Sequence, residues 1–212
     1  MEPFTQLTAI AAPLALPNVD TDQIIPARFL RRPRDEGFGE MLFNDLRFRS
    51  PGEEDPAFVL NQAPYRAAKI IVADHNFGGG SSREHAVWAL VDHGIRCVVA
   101  ISFGDIFHEN SVKNGLLLIR LPEERVVSLR EALLASPGAT VSADLERQIL
   151  TGPDGIATRF EVEPGRRKRL LLGLDDIGIT LRHEAEITAA EKAYRARRPW
   201  LFRHAPTRAQ QG

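Results

Sequence analysis

The stretch that most constrains this chain covers residues 76–90 and has the sequence NFGGGSSREHAVWAL. The β-type run KIIVA at residues 69–73 precedes it, and Ala86, Ala89 and Leu90 follow at helical spacing. This pattern predicts a strand, a tight glycine turn and the N-terminus of a helix. Unpaired backbone N–H groups and the positive end of a helix dipole, about half a charge, would meet there. We therefore expect an anion site, for example for a substrate carboxylate.

Two interpretations of the serines compete. In the first, Ser81 is an N-cap and Glu84 completes a capping box, a structural device worth about 1 kcal/mol. In the second, the Ser81 oxygen carries negative charge and acts as a base, with Arg83 beside it to hold a carboxylate by two bonds. The three consecutive glycines favour the second interpretation, because they let a ligand approach the backbone closely.

Nucleotide sites do not fit this turn. A phosphate-binding loop ends in Gly-Lys-Ser or Gly-Lys-Thr, and no lysine is present in the turn. The dinucleotide fingerprint needs a third glycine where Arg83 stands. Both kinds of site are therefore disfavoured.

The segment GGGSSREHAVWAL resembles the GSSREHA motif of the aconitase superfamily, in its swivelling domain. NVDTDQIIPARFL at 18–30 and SFGDIFHEN at 102–110 resemble motifs of one branch, the small subunits of bacterial 3-isopropylmalate dehydratase. The similarity extends over residues 4–200. It implies the α/β class and a swivelling β/β/α domain of the aconitase C-terminal type, with mixed sheets flanked by helices.

The resemblance also implies an activity. The family interconverts 2-isopropylmalate and 3-isopropylmalate by dehydration and rehydration in leucine biosynthesis, and its small subunit works only with an iron–sulfur large subunit. Ser81 matches the catalytic serine base of the family. Gly80, Ser82 and Arg83 match neighbours that bind the substrate, a small dicarboxylate hydroxy acid.

Other positions are expected to support the site. The resemblance implies that a second layer of residues supports those that contact the substrate: Asp20, Thr21, Glu84 and His85. Composition alone would make the polar loop at 18–22 a simple turn. The segment 31–57 has weak periodicity and many breakers, so we expect a mobile loop, although its phenylalanines argue against full disorder. By resemblance, a mobile loop that helps to choose the substrate includes Phe29, Leu30, Arg31 and Arg32. Alternatively, Arg31 and Arg32 are simply solvated charges.

Two departures from the family pattern leave the geometry of the turn open. Gly79 stands where the family has cysteine, and Val87 stands where it has proline. The segment at 29–32 leaves the substrate open, so a related hydro-lyase acting on citraconate, methylmalate-type or homoaconitate-type acids is an alternative. A second alternative is a module that binds a dicarboxylate without reacting.

Composition limits the partners. One cysteine, Cys97, can neither form an internal disulfide nor hold an iron–sulfur cluster, which takes about three or four thiolates. We expect Cys97 in the core, no metal on this chain, and a [4Fe-4S] cluster on the partner large subunit. A net charge of −1 gives no support to nucleic acid as a partner. The absence of a signal-like segment and of an apolar run of about 18 residues predicts a cytoplasmic protein without a membrane span.

The remaining pattern predicts one domain over 1–204 and a flexible tail at 205–212. Strands are expected at 4–12, 97–101 and 115–121, and shorter ones within 140–163. Their order is not a regular βαβ alternation, which disfavours a doubly wound sheet.

Three helices are predicted in the second half of the chain: 123–135, 166–172 with Gly173 as C-cap, and 183–195. Two possible acid–base pairs are Asp74 with His75 and His108 with Glu109, although such pairs more often have a surface or structural role. The expected inward residues of the helices are Val126, Leu129, Leu133, Leu134, Ile187, Ala190 and Tyr194.

Overall fold

The computed structural model describes residues 1–34 and 37–202. Its contacts separate two compact units, Met1–Leu174 and Asp175–Gly212. That residues 1–204 behave as one domain stays a prediction, and the tail expected at 205–212 lies outside the described residues.

The first unit contains a seven-stranded mixed sheet and a separate two-stranded hairpin. The strands are β1 (Gln6–Pro13), β2 (Phe48–Ser50), β3 (Glu53–Glu54), β4 (Ile70–Val72), β5 (Cys97–Ala100), β6 (Leu117–Arg120), β7 (Thr140–Asp144), β8 (Ile149–Thr151) and β9 (Ala157–Arg159). The order in the main sheet is β6-β5-β4-β1-β7-β8-β9. Strands β1, β4, β5 and β6 are parallel, whereas β7, β8 and β9 continue the sheet in antiparallel fashion from β1.

The helices of the first unit are α1 (Thr21–Ile24), α2 (Asn44–Arg47), α3 (His85–His93), α4 (Asp105–Lys113), α5 (Glu123–Ala135) and α6 (Pro164–Leu172). Helix α3 connects β4 to β5, and α4 connects β5 to β6. The parallel half of the sheet thus does contain consecutive strand–helix–strand units, which the sequence pattern did not show. The predicted fold class is confirmed, because a mixed sheet is flanked by helices.

Alternate residues of the parallel strands enter two different cores. Ile71 and Val98 belong to one buried cluster, and Ile70, Cys97 and Val99 belong to the other. Since successive side chains of a strand point to opposite faces, the two clusters lie on the two faces of the sheet. Every residue of β4 and β5 is buried, as expected for parallel strands covered on both sides.

Helices α3 and α5 cover opposite faces, because their inward residues fall in different clusters. Helix α5 has the predicted bounds, and Val126, Leu129 and Leu133 are buried. Leu134 is 59% exposed, so its predicted inward position is wrong. It stands next to Leu133 on the edge of the apolar stripe, where none of the described elements covers it. The predicted cap Gly173 is confirmed by its left-handed φ of 64° at the end of α6.

The expectation of little regular structure in 31–57 is wrong for residues 37–57. A 3-10 turn (Phe38–Met41), α2 and the β2–β3 hairpin occupy this segment, and Phe38 and Phe43 are fully buried. A Cβ at Gly39 would lie 2.6 Å from the backbone of Asp92, so the turn packs closely on the end of α3. Residues 35 and 36 lie outside the described part of the chain, and mobility of the loop stays a prediction.

The second unit contains α7 (Asp176–Leu181), α8 (Glu184–Arg197) and a 3-10 turn (Pro199–Phe202). Helix α8 confirms the predicted helix, whereas α7 was not predicted. Ile187 and Tyr194 are 39% and 42% exposed, and Ala190 is exposed too, so this inward face is wrong. Helical spacing shows which residues share a face, but not whether another element covers it. None of the helices in the described ranges is long and apolar enough to cross a membrane.

Candidate active site

The glycine turn lies where three loops meet at the carboxyl ends of parallel strands. Short parallel bridges join Asp20, after β1, to Gly79, after β4, and join Phe77 to Phe103, after β5. Open α/β sheets bind their ligands at this edge. The topology therefore brings together the two motifs at 18–30 and 76–90 that the sequence singled out.

The turn itself needs glycine at Gly78 and Gly80, whose φ angles are 73° and 95°. A side chain at Gly78 is further excluded, because its Cβ would lie 2.2 Å from the buried ring of Phe107. Phe107 also packs edge-on against Phe77, with ring centroids 5.6 Å apart. The turn is thus pressed onto α4.

The capping-box interpretation of Ser81 and Glu84 is wrong, because helix α3 begins at His85 and Glu84 itself is its N-cap. The Glu84 Oε1 accepts a hydrogen bond from the side-chain amide of Asn114, the C-cap of α4, at 2.7 Å. Asn110, one turn earlier on α4, donates to the Ser82 carbonyl at 3.4 Å. Helix α4 therefore holds the chain between the serines and α3, and Ser81 lies outside the first turn of the helix.

A capping box does exist at the neighbouring loop. The Asp20 carboxylate accepts from the Gln23 backbone N–H at 2.8 Å, and the Gln23 side chain accepts from the Asp20 N–H at 3.0 Å. The buried Thr21 N–H donates to the Gly79 carbonyl at 3.0 Å, and its hydroxyl contacts the Ser81 carbonyl at 3.5 Å. These contacts fit a supporting role for Asp20 and Thr21, which stays a prediction.

Ser81 is exposed, as are Gly80 and Ser82 on either side of it. Within residues 1–34 and 37–202, no protein group hydrogen-bonds the Ser81 hydroxyl, and the N–H groups of Gly80, Ser81 and Ser82 have no protein acceptor. Successive free N–H groups next to a left-handed glycine can bind an anion. This nest of amides takes the place of the helix terminus that the sequence predicted.

Arg83 is largely buried, and its guanidinium forms an ion pair with Asp22, which is mostly exposed. Asp22 was not predicted as a site residue, although its place in the DTD segment beside Asp20 was a signal. A guanidinium has five N–H donors, and this pair uses one of its nitrogens. Among the described residues the other donors of Arg83 have no protein acceptor, while Asp22 holds the side chain in place.

His85 is half-buried at the start of α3, beside Trp88 and Phe38 with ring centroids 4.6 and 5.7 Å away. Burial lowers the pKa of His85, a smaller effect of Glu84 raises it, and Arg83 lowers it. The net effect favours a neutral imidazole, which can either donate or accept a hydrogen bond.

Val87 is one departure from the family pattern. Its N–H donates to the Glu84 carbonyl at 2.9 Å, in the first turn of α3. A proline at this position would lack that donor. Gly79, the other departure, lies against the Asn76 amide, which would be 2.9 Å from a Cβ.

The expected specificity segment follows β1 and α1. Phe29 and Leu30 pack partly buried against the core, whereas Arg31 and Arg32 are exposed. The guanidinium of Arg32 stacks 5.5 Å from the centre of the Phe29 ring. A role of these residues in substrate choice stays a prediction.

The pair Asp74 and His75 is present in the structure, with 2.8 Å between the carboxylate and His75 Nδ1. Arg130 of α5 forms an ion pair with the other Asp74 oxygen. Burial alone would raise the pKa of Asp74, but the hydrogen bonds from Arg130 and His75 outweigh it and hold the pKa below its ordinary value. Arg130 was not predicted, because nothing in the sequence links α5 to this loop.

The other pair is not formed. His108 contacts the Arg166 guanidinium of α6 and not Glu109. Burial lowers the pKa of His108, Arg166 lowers it further, and Asp105 and Glu109 oppose the shift weakly. His108 therefore belongs to the packing of α4 against α6.

A metal site is not found in the part of the chain that the structure describes, which contains no group of three or more His, Cys, Asp or Glu suited to one. Cys97 is fully buried in β5, as predicted, and burial raises the pKa of its thiol. It is not placed to ligate a cluster.

Comparison with known protein families agrees with this architecture. Residues 1–124 match the model of the aconitase C-terminal domain. Residues 128–164 match a model described as LeuD_N, and residues 176–204 match the model of the C-terminal domain of the 3-isopropylmalate dehydratase small subunit. The last match falls within the second compact unit.

Individual relatives named 3-isopropylmalate dehydratase small subunit match this chain over their whole length. A 3-isopropylmalate dehydratase small subunit of Rhodospirillum centenum is 55% identical over 202 residues, covering 95% of this chain and 100% of the relative. That of Paramagnetospirillum magneticum is 53% identical over 201 residues, with the same coverage. A crystal structure of 3-isopropylmalate dehydratase from Methanocaldococcus jannaschii superposes with a TM-score of 0.63 at 25% identity, over 88% of this chain and 99% of that chain.

Proposed function

This chain belongs to the family of 3-isopropylmalate dehydratase small subunits, and from this premise we propose how its residues take part in the reaction. It is one part of a hydro-lyase of leucine biosynthesis, which interconverts 2-isopropylmalate and 3-isopropylmalate by removing and adding water. A small subunit implies a large one as its partner.

We assign the base to Ser81. Its oxygen takes the proton from the carbon next to a substrate carboxylate, the C–H electrons form the double bond, and hydroxide leaves the neighbouring carbon. Rehydration returns the proton and hydroxide with their positions exchanged. The free amides of Gly80, Ser81 and Ser82 stabilise negative charge at the serine oxygen or on the substrate.

Arg83 binds a substrate carboxylate through the donors that Asp22 leaves free. A planar guanidinium suits this task because it can form two parallel hydrogen bonds to a carboxylate. Gly80 and Ser82 complete the contact through their backbone. The segment Phe29–Arg32 then selects among side groups of the hydroxy acid, at the same edge of the sheet.

The exposed position of Ser81 supports a site completed by another chain. A base that is open to water needs a cover before proton abstraction becomes efficient. We assign this cover, and a [4Fe-4S] cluster, to the large subunit; such a cluster supplies a Lewis acid for the leaving hydroxide. The single buried thiol of this chain supports that assignment, and a reduced cysteine suits the cytoplasm as its location.

The observation that carries the proposal is the exposed, unpartnered Ser81 hydroxyl among free amides. Co-expression with a large subunit of the same family, followed by turnover of 2-isopropylmalate with Ser81→Ala, tests it. We expect kcat to fall by about a thousandfold or more, because the step loses its base. Ser136→Ala, an exposed serine at the end of α5, is the control and should retain full turnover.

Undiminished turnover of Ser81→Ala would remove this residue as the base. A panel of citraconate, methylmalate-type and homoaconitate-type acids tests which substrate the enzyme uses. Faster turnover of one of these acids would replace isopropylmalate as the assigned substrate. Binding of a dicarboxylate without any turnover in the assembled enzyme would instead identify a non-catalytic module.

A further inference from the structure

A chain of five polar side chains lies directly behind the glycine turn and is not used in the mechanism above. It begins at Arg130 of α5, which is 12% exposed, and its ion pair with Asp74. It continues through His75 to Asn18 and ends at Asn76. These five side chains thus connect a helix on one face of the sheet with both loops that form the site.

The hydrogen bonds among these five side chains have a defined direction. Asp74 is ionised and can only accept, so His75 Nδ1 carries a proton and donates to it at 2.8 Å. In the neutral ring, Nε2 is then an acceptor, and the Asn18 amide donates to it at 3.4 Å. This orientation leaves the Asn18 oxygen to accept from the Asn76 amide at 3.0 Å. Each group therefore sets the orientation of the next.

The last two members support the turn that bears Ser81. Asn18 and Asn76 both have left-handed backbones, with φ of 53° and 55°, a conformation that asparagine adopts more readily than most other residues. The Asn18 N–H donates to the His75 carbonyl at 3.0 Å, and the Asn76 N–H donates to the Ser102 hydroxyl at 2.8 Å. The Asn76 amide also lies against Gly79, two residues before Ser81.

We propose that His75 is a positioning residue for the isomerase reaction. Held by the Arg130–Asp74 pair, it fixes the Asn18 and Asn76 side chains and so fixes the Gly79–Ser81 turn relative to the loop after β1. It does not touch the substrate. This inference rests on the proposed role of Ser81, and it adds a histidine, a carboxylate and an arginine to the machinery behind that serine.

The test uses the assembled two-subunit enzyme. His75→Phe keeps the ring and removes both hydrogen bonds, and His75 is about half exposed, so folding should tolerate the change. We expect kcat to fall by about tenfold with KM within about twofold, because a misplaced base slows the step without weakening substrate binding. His75→Gln keeps an acceptor that can reach Asn18 and should restore most of the rate.

A double-mutant cycle identifies the route of the effect. Asn18→Gly removes the amide and tolerates the left-handed backbone, so it should lower kcat like His75→Phe. If both act through their mutual contact, the double variant should be little slower than the slower single variant. His183→Phe is the matched control, since His183 is another exposed histidine paired with a carboxylate, and kcat of this variant should not change.

Wild-type kcat in His75→Phe, no recovery in His75→Gln, or additive losses in the cycle would each overturn the proposal. Ser81→Ala is measured in parallel to separate the two hypotheses. An inactive Ser81→Ala with a fully active His75→Phe would leave the base assigned and reject the positioning role. An active Ser81→Ala with a slow His75→Phe would reject the base and keep the positioning role for the turn.

Discussion

Replacement of Gly78 by alanine measures how tightly the turn is pressed onto α4. The left-handed φ of 73° costs a non-glycine residue about 1–2 kcal/mol. The new Cβ would also lie 2.2–2.7 Å from three ring atoms of Phe107, which is 2% exposed and cannot move into solvent. Overpacking of this kind adds about 1–3 kcal/mol, for a total loss of about 2–5 kcal/mol. At this chain length the melting temperature should fall by about 4–20 °C.

Thermal and urea unfolding of the purified chain, followed by circular dichroism, gives the measurement. Gly52→Ala is the matched control, because Gly52 has a φ of 82° but no atom within 4 Å of the new Cβ. It should lose only the backbone part, about 1–2 kcal/mol. Combining Gly78→Ala with Phe107→Ala frees the space, so the two losses should not add. Equal losses for Gly78→Ala and Gly52→Ala would refute the overlap with Phe107.

Three further predictions concern other parts of the first unit. Leu133→Ala should cost about 2–5 kcal/mol in urea unfolding, whereas Leu134→Ala, at 59% exposure, should stay within about 0.5 kcal/mol; similar values would contradict the assigned face of α5. Asn114→Ala removes the donor to Glu84, and kcat/KM of the assembled enzyme should fall by about tenfold; unchanged kcat/KM would show that this contact does not position the serines. Asp154 forms an ion pair with Arg125 of α5. Burial alone would raise the pKa of Asp154, but hydrogen bonds, above all from Arg125, outweigh burial and lower it. The stability that this carboxylate contributes is therefore present above its unfolded pKa of about 4 and is lost as the pH falls through the lower folded value. Urea midpoints between about pH 4 and 2 should therefore fall more steeply in the native chain than in Asp154→Asn, and parallel slopes would contradict the pairing.

Local patterns were sufficient for elements whose own residues determine them. Helix α5 follows from its apolar spacing between two prolines, and β5 follows from a short β-branched run. One interpretation of the serines was a capping box, because Ser81 and Glu84 match its pattern as well as Asp20 and Gln23 do, but only the second pair forms one. Glu84 is bonded instead to Asn114 at the end of α4, a tertiary contact that sequence spacing does not contain.

The resemblance supplied the proposed chemistry of the site, but not its geometry. The resemblance pointed to Ser81 and Arg83, and the structure leaves both accessible beside free amides or an exposed carboxylate. The ion pair of Arg83 with Asp22 joins residues 61 positions apart, and that of Arg130 with Asp74 joins residues 56 apart. Such partners depend on which strands lie side by side, and the parallel pairing of β1 with β4 was not predictable from an irregular alternation of strands and helices.

Cys97 gives the protein an intrinsic reporter of sheet opening. Its thiol lies in β5, between β4 and β6, and is both inaccessible and held in its unreactive protonated form. Because it is the only cysteine in the sequence, each chain can take up one alkylating label, and only after the parallel half of the sheet has separated. The rate of labelling by iodoacetamide would therefore measure how often the parallel half of the sheet opens in the native protein, without any engineered probe.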